Sequence, residues 1–453
     1  LAAGAAEERL YLSFPRAEAE TGRARVPSFY AIEAMRAASG EPPTLHAFER
    51  AARPPSRISA AWPSPIDPAT AIDETELALA VVRGLKSAEP TWSRGRARFL
   101  VEQHPHLERA LRARFRRHDQ RELDVNDGFV ATDPALKRHL EGRSLRERGY
   151  SPSTLQAFAA CPYRFYLKAL LGVGPRLEAS PVDRLDPSQR GQLYHQCQAK
   201  LAVELGAMTS PPDAAEARAI VDRVLGEVAE AERERSEPLS RQVFEHQIEG
   251  LRLDLLGYLE EQAQRNDGYR PLRAELRFGL DGHEPVRIKG RYLVRGAIDA
   301  VELGPGNALR VTDYKTGRLD PELQKGTPAV GGGEMLQPLL YAMVADALRG
   351  RELPAEAEVA ASRLYFATRR GGYRSLDVVV ADDNLDRALE VMNTIDHAVR
   401  AGRLFALPRE GACKACAYRA VCGPNEEARV ARKQPATPDK PLIRNLTLLR
   451  GLP

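Results

Sequence analysis

The sequence predicts a mixed α/β protein, and three observations carry that prediction. From about residue 186 the apolar spacing is helical. Near residue 272 it changes to the alternation of strands, and it returns to helix twice before residue 402. The resulting order is helices, three strands, helix, two strands, helix, which belongs to a mixed-sheet core. No internal repeat interrupts it.

The totals bound the rest. Lys and Arg number 66 against 62 Asp and Glu, a net charge of +4. That balance neither demands nor excludes nucleic acid, because phosphate binding needs a local basic groove. A chain of 453 residues, 43% hydrophobic, is long enough for two or three cores. Five cysteines are too few for a disulfide framework, and their clustering points to a reducing compartment with a metal site. No apolar run approaches the roughly 18–20 residues that span a bilayer, and no secretory signal opens the chain. A cytoplasmic protein is expected. The first residue is Leu1, so the chain reads as a piece of a longer polypeptide.

Taken in order, "EERLYLSFPRAE" (Glu7–Glu18) reads as a strand running into a loop, and Ser28 caps a helix that follows. Pro54, Pro55, Pro63, Pro65 and Pro68 mark an irregular connector. Residues 73–148 read as charged helices. Leu107–Glu122 carries Arg109, Arg112, Arg114, Arg116, Arg117 and Arg121, a pattern that fits a solvated face or a phosphate-tracking surface. Ser151 or Ser153 opens a helix that Pro162 breaks just after Cys161. Helices are expected over 190–205, 213–235 and 240–264. Strands are expected over 272–280, 286–303 and 308–317, the last two joined by the turn Gly304–Asn307. A helix over 334–348 tolerates Pro338 in its first turn. Two strands over 359–370 and 374–382 and a helix over 384–402 complete the core. The last thirty or so residues, rich in Lys, Arg and Pro, read as an extended tail.

The chemistry concentrates on two strands. Asp299 in "RGAIDAVEL" and Asp313 in "VTDYKTG" are charges set into apolar runs across a tight turn. Buried carboxylates must be paired or bind a metal, and oxygen ligands favour Mg²⁺ or Mn²⁺. Lys315 shares a strand face with Asp313. It is placed to orient a water and to stabilise charge on a phosphate. His195 offers a third ligand, although a lone helical histidine is by itself an ordinary structural residue. Gln337 and Tyr341, four apart, share a helix face.

Cys413-x2-Cys416-x5-Cys422 needs a fourth ligand, and Cys161 and Cys197 are the candidates. Four thiolates suit zinc or an iron–sulfur cluster, and the spacing does not separate these. At 3.6 residues per turn, Cys197 points about 200° from His195. If His195 faces the site, Cys197 faces away. Cys161 sits at a helix break where a side chain can be presented.

In order along the chain, "FAACPYRFYL", "RGQLYH", "GAIDAVEL", "DYKTG", "QPLLY" and "CKACAYRAVC" resemble the RecB-like branch of the PD-(D/E)xK nucleases. The resemblance is to the iron–sulfur-stapled nuclease domain of AddB-type helicase–nuclease subunits, over about 150–425. It implies a restriction-endonuclease-like mixed-sheet core with helical insertions. It further implies His195, Asp299, Asp313 and the Tyr314 backbone carbonyl as Mg²⁺ (or Mn²⁺) ligands, with Asp299, Asp313, Lys315, Gln337 and Tyr341 as catalytic residues. Cys161, Cys413, Cys416 and Cys422 match the ligands of a 4Fe-4S cluster. The activity implied is a metal-dependent deoxyribonuclease, exonucleolytic on single-stranded DNA ends during double-strand-break repair, in a heterodimer with an AddA-like subunit.

Upstream, Arg16 resembles the last-motif arginine of superfamily-one helicases, with Pro15 where Thr is usual. No Walker A loop occurs. The organisation expected is therefore 1–148 as a mostly helical helicase-like remnant and connector, 149–425 as nuclease, and 426–453 as tail. The alternatives are a non-catalytic DNA-binding subunit with a four-cysteine zinc or iron–sulfur site, and a stand-alone exonuclease of the CRISPR-adaptation kind.

Overall fold

The computed structural model describes residues 26–51, 64–85, 90–174, 185–208, 212–236, 240–265, 267–320, 328–423 and 425–453. The strand expected at Glu7–Glu18, with Arg16, lies outside them, as do Pro54, Pro55 and Pro63. The chain divides into two compact units, 1–112 and 113–453. In the first, the described residues form helices Phe29–Ser39, Leu45–Ala51, Glu74–Leu85 and Pro90–Gln103. The Ser28 hydroxyl caps the first of these by accepting the Ala31 N–H at 3.3 Å.

The second unit is built on a five-stranded sheet. In chain order its main elements are α1 (Pro152–Ala160), α2 (Pro187–Ala207), α3 (Ala214–Ser236), α4 (Arg241–Arg265), β1 (Arg270–Phe278), β2 (Gly296–Leu303), β3 (Ala308–Tyr314), α5 (Gln337–Ala347), β4 (Glu358–Phe366), β5 (Arg374–Val379), α6 (Asp382–Ala401) and α7 (Lys440–Arg450). The strands lie side by side in that sequence order. β3 and β4 run parallel, and the other neighbours run antiparallel. A parallel pair needs a crossover, and α5 lies within it. Pro338 sits in the first turn of α5, where its missing N–H is no loss, and Pro338–Ala345 are all buried.

Strand alternation sends Leu309, Val311, Leu364 and Phe366 into one apolar cluster, with α5, α6 and Leu446 and Leu449 of α7. Tyr314 and Tyr365 face the opposite cluster, formed with α2, α3 and α4. Cys197 is fully buried in that second cluster, beside Tyr194 and Leu201.

Three expectations are corrected. The strand expected over 286–303 is a hairpin, Val286–Ile288 with Tyr292–Val294, followed by β2. Lys289 and Gly290 take φ of 43° and 64° and reverse the chain between the two arms. Residues 113–148 pack into the same unit as the sheet: Leu123, Leu140 and Leu145 are buried, and Gly128–Val130 pairs with Arg403–Phe405. Residues 426–453 are not an extended tail. They form short helices and α7, and they bury Val430, Leu446 and Leu449. The apolar residues there are few but regularly placed, and the surrounding Lys, Arg and Pro hid them.

Arg117 also departs from a solvated face. It donates to Glu426 at 2.9 Å and to the Cys422 carbonyl at 3.2 Å. Next to it Arg429, only 2% exposed, is held by Asp127 and Glu426.

Candidate active site

Register brings the acids together. In the β2–β3 ladder Ala300 faces Thr312 and Val301 faces Val311; one step further sets Asp299 across from Asp313. In the β1–β2 ladder Ala274 faces Ala300 and Leu276 faces Ile298. Between them Glu275 lies across from Asp299. Three carboxylates on three neighbouring strands therefore stand in a row, and like charges directly opposite destabilise a sheet.

Glu275 is the residue that sequence reasoning missed. Its backbone takes φ of +48°, a region that a non-glycine residue rarely occupies. Such strain costs on the order of 1 kcal/mol and concentrates at functional sites. In sequence, Glu275 is one charge among several in "LRAELRF", with nothing to distinguish it.

α2 lies against β1 and delivers His195. Its Nδ1 is 3.4 Å from Oδ2 of Asp299. One ligand atom from each of His195, Glu275 and Asp299 lies within 4.8 Å of the other two. Asp299 Oδ2 also accepts the Tyr314 N–H at 2.7 Å. The Tyr314 ring turns to the other face of the sheet, against Tyr258 and Tyr365.

On the other side, Gln337 at the start of α5 donates from Nε2 to Asp313 Oδ1 at 2.9 Å and accepts from Lys315 Nζ at 2.8 Å. Lys315 Nζ lies 2.6 Å from Asp313 Oδ2. That oxygen is buried and accepts no well-directed hydrogen bond. Tyr341 lies one turn along α5 from Gln337. His195, Glu275, Asp299, Asp313, Lys315, Gln337 and Tyr341 all line one open pocket, with Gln192, Gln196, Lys200 and Arg277 at its walls.

The electrostatics record the crowding. Burial raises Asp313 to about 6; Lys315 opposes the shift and Asp299 adds to it. Burial and then Asp299 raise Glu275. Burial alone would lower His195, but its hydrogen bond and charge attraction to Asp299, with Asp313 and Glu275 behind, leave it raised. A row of carboxylates that repel one another and an imidazole beside them form a donor set that suits a hard divalent cation.

A second pocket is lined by Cys161, Cys413, Cys416 and Cys422, with Tyr163, Arg164, Leu167 and Tyr418. Cys161 breaks α1 in an extended conformation, and the N–H groups of Tyr163 and Arg164 point at its sulfur. Burial raises the Cys161 and Cys413 thiols to about 12. Glu427 holds the second arm by accepting the Gly411 and Cys413 N–H groups at 3.0 and 2.8 Å. None of the four is in a disulfide. Four convergent thiols with amide donors suit a thiolate-bound metal or cluster.

The fold and this site define a class. Residues 150–423 match the PD-(D/E)XK nuclease superfamily, and the chain belongs to that family. Among curated proteins it is similar to the B component of the ATP-dependent helicase/deoxyribonuclease of Moorella thermoacetica, 32% identical over 251 residues. That match covers 52% of this chain and 21% of the relative. The corresponding component of the Lacticaseibacillus casei enzyme is 28% identical over 202 residues, 41% of this chain and 16% of the relative. The chain thus spans about a fifth of the length of these relatives. Among the described residues no helix is long and apolar enough to cross a membrane.

Proposed function

We propose that this chain is the metal-dependent deoxyribonuclease portion of an AddB-type helicase–nuclease component. It hydrolyses phosphodiester bonds at single-stranded DNA ends during double-strand-break repair, in partnership with an AddA-like chain. The observation that carries the reading is the row Glu275–Asp299–Asp313 with His195 on one side and the Asp313–Lys315–Gln337 triangle on the other. The separate unit 1–112 would be the helicase-like end of such a protein.

His195, Asp299, Asp313 and the Tyr314 carbonyl would hold Mg²⁺ or Mn²⁺, with Glu275 within reach. The bound ion supplies Lewis-acid stabilisation of phosphate charge and acidifies water. The protein's own groups do the rest. Lys315 presents an ammonium, fixed by Asp313 and Gln337, to an entering water and to the developing phosphate charge. Gln337 and Tyr341 keep that ammonium and Asp313 in register. The Gln192, Gln196 and Lys200 side of α2 forms a wall along which a strand can lie.

The four cysteines would hold a 4Fe-4S cluster that joins the two ends of the nuclease domain. Iron and acid-labile sulfide analysis of anaerobic protein tests this: one zinc with no iron or sulfide would replace the cluster by a zinc site.

The activity test is digestion of end-labelled single-stranded DNA with Mg²⁺. Wild type degrades it, and Asp313→Ala loses about a thousandfold, the scale of several kcal/mol of charge stabilisation. Equal activity in the two proteins would sink the assignment.

A further inference from the structure

Arg450, at the end of α7, makes three hydrogen bonds to backbone carbonyls. Nε donates to Ala159 at 2.9 Å, and Nη2 donates to Ala160 at 3.3 Å and to Leu407 at 2.6 Å. These carbonyls belong to two separate segments. Ala160 immediately precedes Cys161, and Leu407 opens the segment that enters Cys413. The two segments touch again where the Arg409 N–H donates to the Ala160 carbonyl at 2.8 Å. Ala406 and Pro408, which flank Leu407, line the thiol pocket.

The geometry answers a local problem. α1 stops at Ala160 because Pro162 follows, so its last carbonyls lack helical partners. A cation at a helix C-terminus satisfies them and complements the helix dipole. Arg450 does this while its second branch reaches the other arm, which a lysine's single ammonium cannot match in geometry.

Its own support is firm. Leu446 and Leu449 are 5% and 1% exposed. Past the helix, the Leu452 and Pro453 carbonyls accept the Gly332 and Val330 N–H groups at 2.9 and 2.8 Å. Gly332 takes φ of +63°, and a Cβ there would meet the Arg450 carbonyl at 2.7 Å, so the loop can approach α7 only as glycine.

We infer that Arg450 is a positioning residue for the thiol pocket: it pins the Cys161 arm and the Cys413 arm together, so that the four sulfurs are arranged before iron enters. The inference rests on the reading of that pocket as a cluster site. Because the pinning belongs to the protein and not to the cluster, losing it weakens retention of the metal more than it weakens the fold.

The test uses the full chain, reconstituted anaerobically with ferrous iron and sulfide. Iron per chain and the rate at which EDTA bleaches the thiolate-to-iron absorption are the readouts. Arg450→Gln should bleach about tenfold faster than wild type, the usual scale for removing a group that orients metal ligands. Arg450→Lys should fall between them, and Leu448→Ala, on the exposed side of the same helix, should match wild type. Equal bleaching of wild type and Arg450→Gln overturns the inference. If Arg450→Gln does not fold, Arg450→Lys carries the comparison, and wild-type behaviour there overturns it. Wild type that takes up neither iron nor sulfide overturns the cluster reading and the latch together, and leaves the nuclease reading to its own assay.

Discussion

At Asp313 one carboxylate is shared between a lysine and a glutamine and repelled by Asp299, and the neighbours of this row predict separate results. Lys315→Met keeps the length of the side chain and removes the charge. DNA cleavage at saturating Mg²⁺ should fall by about a hundredfold or more, because under the proposed mechanism that charge acts on the phosphate. Glu275→Gln should instead raise the Mg²⁺ concentration needed for half-maximal cleavage, by about tenfold. Equal Mg²⁺ dependence in Glu275→Gln and wild type would remove Glu275 from the metal's surroundings. Since Asp313 is raised to about 6 by burial, with Lys315 opposing and Asp299 assisting, it holds a proton below that pH. A divalent ion held by Asp313, as proposed, would have to displace that proton. Mn²⁺ affinity should therefore weaken as pH falls through about 6, read by calorimetric titration.

At the scale of elements, β2, β3 and β4 share a buried charge network on the face opposite Lys315. Glu302 accepts from Arg310 at 2.8 and 3.0 Å, from Thr312 at 2.7 Å and from Arg363 at 3.1 Å. Burial pushes the Glu302 pKa up, but Arg363 and Arg310 outweigh it and leave it lowered from 4.5. A carboxylate with a depressed folded pKa contributes stability above its unfolded pKa and loses it as pH falls through the folded one. Acid unfolding should thus begin to draw on this network below pH 4.5. Glu302→Gln leaves two buried guanidinium groups short of a counter-charge. It should cost about 3 kcal/mol in urea unfolding at neutral pH, and it should flatten that acid limb.

For the whole molecule, the candidate thiol clasp joins residues roughly 250 positions apart, with the sheet and its carboxylates between them. By the chain-entropy argument used for disulfides, closing a loop of that length is worth on the order of 5 kcal/mol. Cys161→Ala should lower the melting temperature and open residues 403–453 to limited proteolysis before β1–β5. It should leave DNA cleavage measurable at low temperature. Retention of the wild-type melting curve would show that the buried Arg429–Asp127–Glu426 pairs, not the cysteines, hold that end.

The order of helices and strands was legible because apolar period is a local property, and Pro162, Pro338 and Ser28 act on their own turns. The Asp-x-Lys of β3 was legible for the same reason: period two puts Asp313 and Lys315 on one face of any strand. The class of nuclease followed from motifs in order, since each motif is short and keeps its spacing. Glu275 was not legible, because its meaning comes from a register across β1 and β2 that no local pattern encodes. Arg117 read as part of a solvated or phosphate-tracking face, and 426–453 as a tail, because their partners lie far away along the chain. The sequence by itself determined which chemical groups the chain carries and, through apolar period, the order of the main helices and strands of the core. The tertiary structure decided which of those groups meet, because charge pairing and carbonyl satisfaction depend on distances that only long-range packing sets.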